Sequence, residues 1–270
     1  MTNNIALEGV DLVKYFPTGS SKFLGRPTNS VRAVDGVSFK VRTGSTLGVV
    51  GESGCGKSTL ARVATKLIDS TSGSVFLDGE NITNASGAAL RLSRRKIQMI
   101  FQDPYSSLNP RHSVGQIIGA PLQVQKISPV QGEKKRVQEL MELVGLNPEH
   151  YNRYPHEFSG GQRQRIGIAR SLILDPTVIV ADEPVSALDV SIQAQILNLL
   201  EGLQRDLGLS YVFIAHDLSV VRHIADDVAV MYLGKIVESG PASVVYQSPA
   251  HPYTKALLSA VPVANPARRG

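Results

Sequence analysis

Apolar residues recur along this chain with two different periods, and the two periods predict two kinds of element. Apolar and polar residues alternate over residues 5–13 and 37–41, a pattern typical of half-buried strands. Short, fully apolar runs at 47–50 and 178–181 predict strands buried on both faces. Five further strands are predicted at residues 74–77, 96–101, 210–214, 228–232 and 235–239.

Helical spacing appears between these strands. Apolar residues follow each other at intervals of three or four over residues 192–207, and similar patterns predict helices over 57–68, 90–95 and 162–174. Residues 113–155 are mainly helical in pattern, interrupted by prolines, whereas 17–30 is rich in Gly, Ser, Pro and Asn and predicts a loop. Because strands alternate with helices, we expect an α/β fold with a mainly parallel sheet covered on both faces.

Composition and charge narrow the class of protein only in part. The 270 residues are 42% hydrophobic and carry a formal net charge of +5, which serves solubility or attracts nucleotides or an anionic membrane surface. A single cysteine, Cys55, rules out a disulfide, a zinc knuckle or an iron–sulfur cluster built from this chain alone. No signal peptide is evident and no apolar run approaches about 18 residues. We therefore expect any membrane association to come through a partner.

The sequence GESGCGKS at residues 51–58 matches the G-x-x-x-x-G-K-S/T pattern of a phosphate-binding loop, between a predicted strand and a predicted helix. Glycines allow successive backbone N–H groups to face a polyphosphate, and the helix presents its positive N-terminal end to the same anion. Lys57 would contact the β- and γ-phosphates, Ser58 would ligate Mg²⁺ and Thr59 would touch the α-phosphate. The predicted nucleotide contacts are Gly51, Glu52, Ser53, Gly54, Cys55, Gly56, Lys57, Ser58 and Thr59.

A second chemical motif is the apolar strand that ends in two carboxylates, Asp182 and Glu183. Asp182 is suited to hold Mg²⁺, which prefers oxygen ligands and retains waters. Adjacent residues of a strand point in different directions, so Glu183 is free to polarise a water for attack on the γ-phosphate.

The remaining motifs resemble those of ABC-type ATPases. The sequence FSGGQ at residues 158–162 is similar to the LSGGQ signature, with Phe at its first position, and SALD at 186–189 is similar to the D-loop. Gln102 matches the Q-loop glutamine and His216 the switch histidine. Phe16 falls where the family places an aromatic residue on adenine, with Tyr15 as the alternative.

This resemblance implies a fold, a site and a mechanism. The fold is that of a P-loop NTPase of the ABC-ATPase type: one domain over residues 1–270, with a mainly parallel core sheet, an antiparallel β subdomain, a helical subdomain at about 103–157 and a C-terminal tail at about 241–270. ATP and Mg²⁺ are the implied ligands. Glu183, His216 and Gln102 are the implied catalytic residues, and Ser58, Gln102 and Asp182 the metal-associated ones. Four residues would contact, in trans, the ATP held by a facing subunit: Ser159, Gly160, Gly161 and Gln162.

Two features are similar to the oligopeptide and dipeptide importer branch of the family: the loop at 17–30 and the sequence HPYT at 251–254. They imply an ATPase subunit at the cytoplasmic face of the membrane, with permease subunits, a second ATPase and, indirectly, a substrate-binding protein as partners, and no nucleic acid. Related importers of nickel or other small solutes remain an alternative. A soluble ABC ATPase acting on nucleic acid or ribosomes, and a P-loop kinase or GTPase, fit the motifs less well.

Overall fold

The structure, a computed structural model, describes residues 4–18, 29–103 and 107–259. The strands are β1 Ile5–Thr18, β2 Asn29–Arg42, β3 Thr46–Val50, β4 Ser72–Leu77, β5 Glu80–Asn81, β6 Ile97–Ile100, β7 Val178–Asp182, β8 Ser210–Ala215, β9 Asp227–Tyr232 and β10 Lys235–Pro241. The helices are α1 Lys57–Ala64, α2 Gly87–Lys96, α3 Val114–Gln125, α4 Glu133–Leu143, α5 Gly160–Leu172, α6 Val190–Leu207, α7 Leu218–Ile224, α8 Ala242–Gln247 and α9 Pro252–Ser259.

The core of the molecule is a six-stranded sheet in the order β10-β9-β3-β8-β7-β6. All neighbouring strands are parallel except β9 and β10, which form an antiparallel pair. Side chains of β8 alternate between two apolar cores: Tyr211 and Phe213 belong to one, Val212 and Ile214 to the other. The sheet is therefore covered on both faces, as the apolar runs predict.

A second sheet of four antiparallel strands, in the order β2-β1-β4-β5, packs against the first through a shared apolar core. The predicted loop at 17–30 is wrong at both ends. Strand β1 extends to Thr18 and β2 begins at Asn29, with Pro17 paired to Ser30. Among the described residues, β1 pairs at that end with β2 alone, and proline is tolerated at such an edge position. Residues 19–28 of the predicted loop lie outside the described residues.

Helix ends differ from the prediction where local backbone geometry decides them. Helix α1 ends at Ala64 rather than near residue 68, because Lys66 adopts a left-handed conformation with φ of 54°. Helix α5 begins at Gly160, two residues before the predicted start, because the Ser159 hydroxyl accepts a hydrogen bond from the Gln162 backbone N–H at 3.3 Å and caps the helix. The sequence pattern did not predict helix α7.

Helices α3 and α4 lie between β6 and α5 in the chain, within the region 103–157 that we call the helical lobe. They pack on α5 through apolar residues such as Ile118, Leu140 and Ile166. Helix α3 begins with a capping box: the Ser113 N–H donates to Gln116 Oε1 at 2.9 Å, and the Gln116 backbone N–H donates to the Ser113 hydroxyl at 3.4 Å. Within the described residues, no helix combines the length and apolar character needed to cross a bilayer.

Candidate functional site

The predicted phosphate loop connects β3 to α1. Two of its glycines pack so closely against neighbouring backbone that no larger residue fits. A Cβ on Gly51 would lie 2.1 Å from the Met231 carbonyl oxygen, and one on Gly56 would lie 1.9 Å from the Ala33 carbonyl oxygen. Gly56 also has φ of 111°, a value that side-chain-bearing residues rarely adopt. Gly54, at φ of 80°, has open space where its Cβ would be. Packing therefore requires glycine at positions 51 and 56, and at position 54 the positive φ alone favours it.

Lys57 opens helix α1 directly after Gly56, which caps the helix without a side-chain hydrogen bond. The first backbone N–H groups of the helix are thus open to an anion. The Lys57 side chain is buried, and its Nζ donates to the carbonyl oxygens of Gly51 at 2.7 Å and Glu52 at 2.9 Å. The loop therefore holds an ammonium group next to the helix N-terminus, an arrangement that suits a polyphosphate.

Asp182 ends β7 as a nearly fully buried carboxylate with 4% exposure. The Ser58 hydroxyl donates to its Oδ1 at 3.0 Å, which joins the second acidic strand to the phosphate loop. Burial raises the pKa of the Asp182 carboxyl, although the Ser58 hydrogen bond and the Lys57 charge oppose that rise. A cation would offset this cost, and a hydroxyl beside a carboxylate is a donor set that suits Mg²⁺.

No group of three or more His, Cys, Asp or Glu side chains that could hold a metal occurs in the described part of the chain. Mg²⁺ in nucleotide sites needs fewer protein ligands, because phosphates and waters complete its shell.

Glu183 follows Asp182 and takes a left-handed backbone conformation with φ of 46°, supported by its N–H bond to the Ile214 carbonyl at 2.9 Å. Its Oε2 accepts a hydrogen bond from Gln102 Nε2 at 2.8 Å and contacts His216 Nδ1 at 3.3 Å. The structure therefore brings together the three residues that the sequence predicted as catalytic.

A cavity of about 460 Å³ lies beside the loop and is lined by most of the residues predicted to contact the nucleotide. Its lining residues are Val31, Arg32, Ala33, Ser53, Gly54, Cys55, Gly56, Lys57, Ser58, Thr59, Gln102, Glu183, Leu233 and Gly234. Gly51 and Glu52, also predicted as nucleotide contacts, do not line it; their backbone carbonyls hold Lys57 instead.

Phe16, the predicted adenine platform, does not line this cavity either, although its cross-strand partner Val31 does. Phe16 is 40% exposed and has Lys14 Nζ 5.3 Å from its ring centroid. The alternative, Tyr15, uses its hydroxyl to donate to Asp35 Oδ1. The structure thus places Phe16 one strand away from the cavity wall.

Sequence reasoning missed the turn between β9 and β10. Leu233 and Gly234 line the cavity, and the Gly234 N–H donates to the Cys55 carbonyl of the phosphate loop at 2.9 Å. The available signal was the glycine that separates two predicted strands, since a tight turn allows another backbone to approach closely. The Cys55 thiol itself is buried, and burial raises its pKa, which fits a space-filling role.

The signature residues occupy a helix start that does not line the cavity. Ser159 caps α5 in a capping box, with its N–H donating to Gln162 Oε1 at 3.0 Å. Gly161 lies against Ile192 of α6, where a Cβ would come within 2.6 Å of that side chain. Neither Ser159, Gly160, Gly161 nor Gln162 is among the lining residues.

Comparison with known proteins places this geometry in a family. Residues 34–186 match the family described as ABC transporter, and residues 237–270 match the one described as Oligopeptide/dipeptide transporter, C-terminal region. The dipeptide transport ATP-binding protein DppF of Escherichia coli is 54% identical over 96% of this chain and 77% of its own length. The oligopeptide transport ATP-binding protein OppF of Bacillus subtilis is 57% identical over 89% of this chain and 79% of its own.

Solved structures show the same fold. A dimeric post-hydrolysis state of the ATP-binding cassette MJ0796, bound to ADP and Pi, superposes with a TM-score of 0.76 at 26% identity, covering 87% of this chain and 98% of that one. The cbiO1 protein of Clostridium perfringens, part of the ABC transporter complex cbiONQ, gives a TM-score of 0.76 at 26% identity over 91% and 92% of the two chains.

Proposed function

This chain belongs to the ABC transporter family of ATP-binding proteins, and from that premise we propose how its residues hydrolyse ATP for a peptide importer. The chain is the ATPase subunit of such an importer. The observation that carries the proposed mechanism is the convergence of Gln102 and His216 on the Glu183 carboxylate at the wall of the loop cavity.

Binding precedes the chemistry and falls to the phosphate loop. The open N–H groups at the start of α1 bind the β- and γ-phosphates, and the Lys57 ammonium turns from its two carbonyl partners to the phosphate oxygens. The cavity volume of about 460 Å³ lies in the range of small-ligand sites.

Glu183 is the proposed general base. Its carboxylate accepts the proton of a water that attacks the γ-phosphate, while Gln102 and His216 hold the carboxylate in place through their bonds to Oε2. Ser58 and Asp182 are the proposed Mg²⁺-associated pair, with Gln102 nearby at the cavity wall. Mg²⁺, when bound, would neutralise charge that develops on the phosphates.

The signature residues are proposed to serve a second site. Since Ser159 and Gly160 begin a helix yet line no part of their own cavity, their N-terminal charge is available to the γ-phosphate held by a facing subunit. Two ATPase subunits in head-to-tail order then enclose each nucleotide, and hydrolysis removes the bridge between them. The facing subunit is either a second copy or a sister ATPase.

The remaining partners follow from the transporter family. We place the protein at the cytoplasmic face of the membrane, bound to permease subunits through the helical lobe, which follows β6 and Gln102 in the chain. A substrate-binding protein delivers the peptide to the permease. The ATPase itself does not contact the peptide, so the relatives' names support a peptide substrate without fixing its length.

Two matched capping variants test the shared site. In a Glu183→Gln background, which slows hydrolysis, Ser159→Arg should abolish ATP-dependent dimers in size-exclusion chromatography. The ATP affinity of the monomer, measured at protein concentrations too low for dimers to form, should be unchanged, because dimerisation and ATP binding are linked. Ser113→Arg removes the equivalent cap from α3 and serves as the control, with dimers retained. Loss of the monomer's ATP affinity on Ser159→Arg alone would place the signature at its own site and contradict the proposal.

A further inference from the structure

The C-terminal segment reaches the phosphate loop through one side chain. The backbone N–H of Glu52 donates to the Tyr253 hydroxyl of α9 at 3.0 Å. Burial raises the pKa of that hydroxyl, so it stays a neutral phenol. The contact joins the second residue of the loop to a helix more than half the chain away, and the mechanism above makes no use of it.

Tyr253 is held in place by contacts on both sides. Its ring lies against that of Tyr232 at the end of β9, with centroids 4.3 Å apart. The carboxylate of Glu238 on β10 accepts N–H bonds from Ala250 at 2.7 Å and His251 at 3.0 Å, which fixes the approach to α9. These contacts hold the Tyr253 ring and the start of α9 in place, so the hydroxyl is positioned beside the phosphate loop.

The peptide unit that Tyr253 bonds joins Gly51 to Glu52, and its Gly51 carbonyl accepts Lys57 Nζ at 2.7 Å. The Glu52 carbonyl accepts Lys57 Nζ at 2.9 Å and the Cys55 N–H at 3.3 Å. Fixing the N–H side of Glu52 thus limits the conformations of the loop's first turn before nucleotide arrives. A loop ordered in advance loses less entropy when it binds ATP.

We propose that Tyr253 is a positioning residue for the phosphate loop, through which the C-terminal segment at 237–259 raises the affinity for ATP. The inference rests on the proposed function and extends it, since the matched C-terminal family region gains a defined role at the nucleotide site. The hydroxyl bonds the loop and not Glu183, so it should affect binding and leave the chemical step intact.

The test compares Tyr253→Phe with Tyr246→Phe in the full chain. Tyr246 lies on the neighbouring helix α8 and its hydroxyl donates to the Leu218 carbonyl at 2.7 Å, away from the loop, so it controls for loss of a hydrogen-bonded hydroxyl from a partly buried tyrosine. Tyr253→Phe should weaken Mg-ATP binding about two- to tenfold by calorimetry, the range set by one neutral hydrogen bond, and raise KM with kcat retained. Hydrogen exchange at the Glu52 amide should become faster. Tyr246→Phe should change none of these.

The outcomes separate this inference from the function it rests on. If the unchanged chain fails to bind Mg-ATP, the ATPase assignment itself is wrong. If the unchanged chain binds and Tyr253→Phe binds equally well, or if both variants lose affinity to the same extent, the positioning role is overturned.

Discussion

Replacing Glu183 by Gln separates ATP binding from ATP hydrolysis. The amide matches the carboxylate in size and keeps one oxygen that can accept from Gln102 or His216, which now lie at 2.8 and 3.3 Å. Gln cannot take the proton of the attacking water. A general base accounts for about 10²–10⁴ in rate, so we expect turnover to fall by that factor, equivalent to about 3–5 kcal/mol in the barrier.

Folding stability and ATP affinity should change little in the Glu183→Gln variant. Exchanging a charged acceptor for a neutral one costs about 1 kcal/mol of folding free energy, a shift of about 2–4 °C in Tm. ATP affinity should be retained, because Lys57 bonds Gly51 and Glu52 rather than Glu183. Phosphate release under saturating Mg-ATP measures turnover, and calorimetry measures affinity. Glu80→Gln, on the exposed strand β5, is the matched charge control. Turnover equal to that of the unchanged protein would refute the role of Glu183.

Two further predictions concern the other charges of the site. Lys57→Ala removes an ammonium whose bonds to phosphate are worth about 1.5–3 kcal/mol, so ATP affinity measured by calorimetry should drop roughly ten- to hundredfold, and unchanged affinity would contradict the loop assignment. Asp182→Asn should stabilise the nucleotide-free protein at neutral pH. Burial raises the pKa of Asp182 in the folded state, so stability falls as pH rises from the ordinary pKa of an aspartate to the raised one, and the amide removes this loss. Thermal unfolding between acidic and neutral pH should show the gain growing with pH, while Mg-dependent hydrolysis is lost; a variant less stable at neutral pH would contradict the argument.

The sequence predicted the parts of the fold that periodicity and backbone chemistry govern. Fully apolar runs gave β3 and β7, and the glycine pattern gave the loop between β3 and α1. The motif order, through the family resemblance, singled out Gln102, His216 and Glu183, which the structure brings into contact. Each of these features is either a short sequence pattern or the order of several such patterns along the chain.

What sequence could not give depends on partners distant along the chain. Proline and asparagine favour a loop at 17–30, yet pairing with the opposite strand carries β1 on to Thr18. The bond between Tyr253 and Glu52 leaves no periodic trace, because a single side chain makes it across two elements. Strand register also decides that Val31 lines the loop cavity while its cross-strand partner Phe16 does not, so the contact of Phe16 with adenine stays a prediction.

The close approach of the phosphate loop to backbone carbonyls of Met231 and Ala33 has a practical consequence for engineering. The Met231 carbonyl belongs to β9 and the Ala33 carbonyl to β2, so one strand of each sheet restricts the conformation of the loop. Grafting residues 51–58 onto an unrelated strand and helix would transfer the loop sequence without the backbone that packs against it. Nucleotide affinity in such a chimaera should therefore depend on importing those two flanking strands as well.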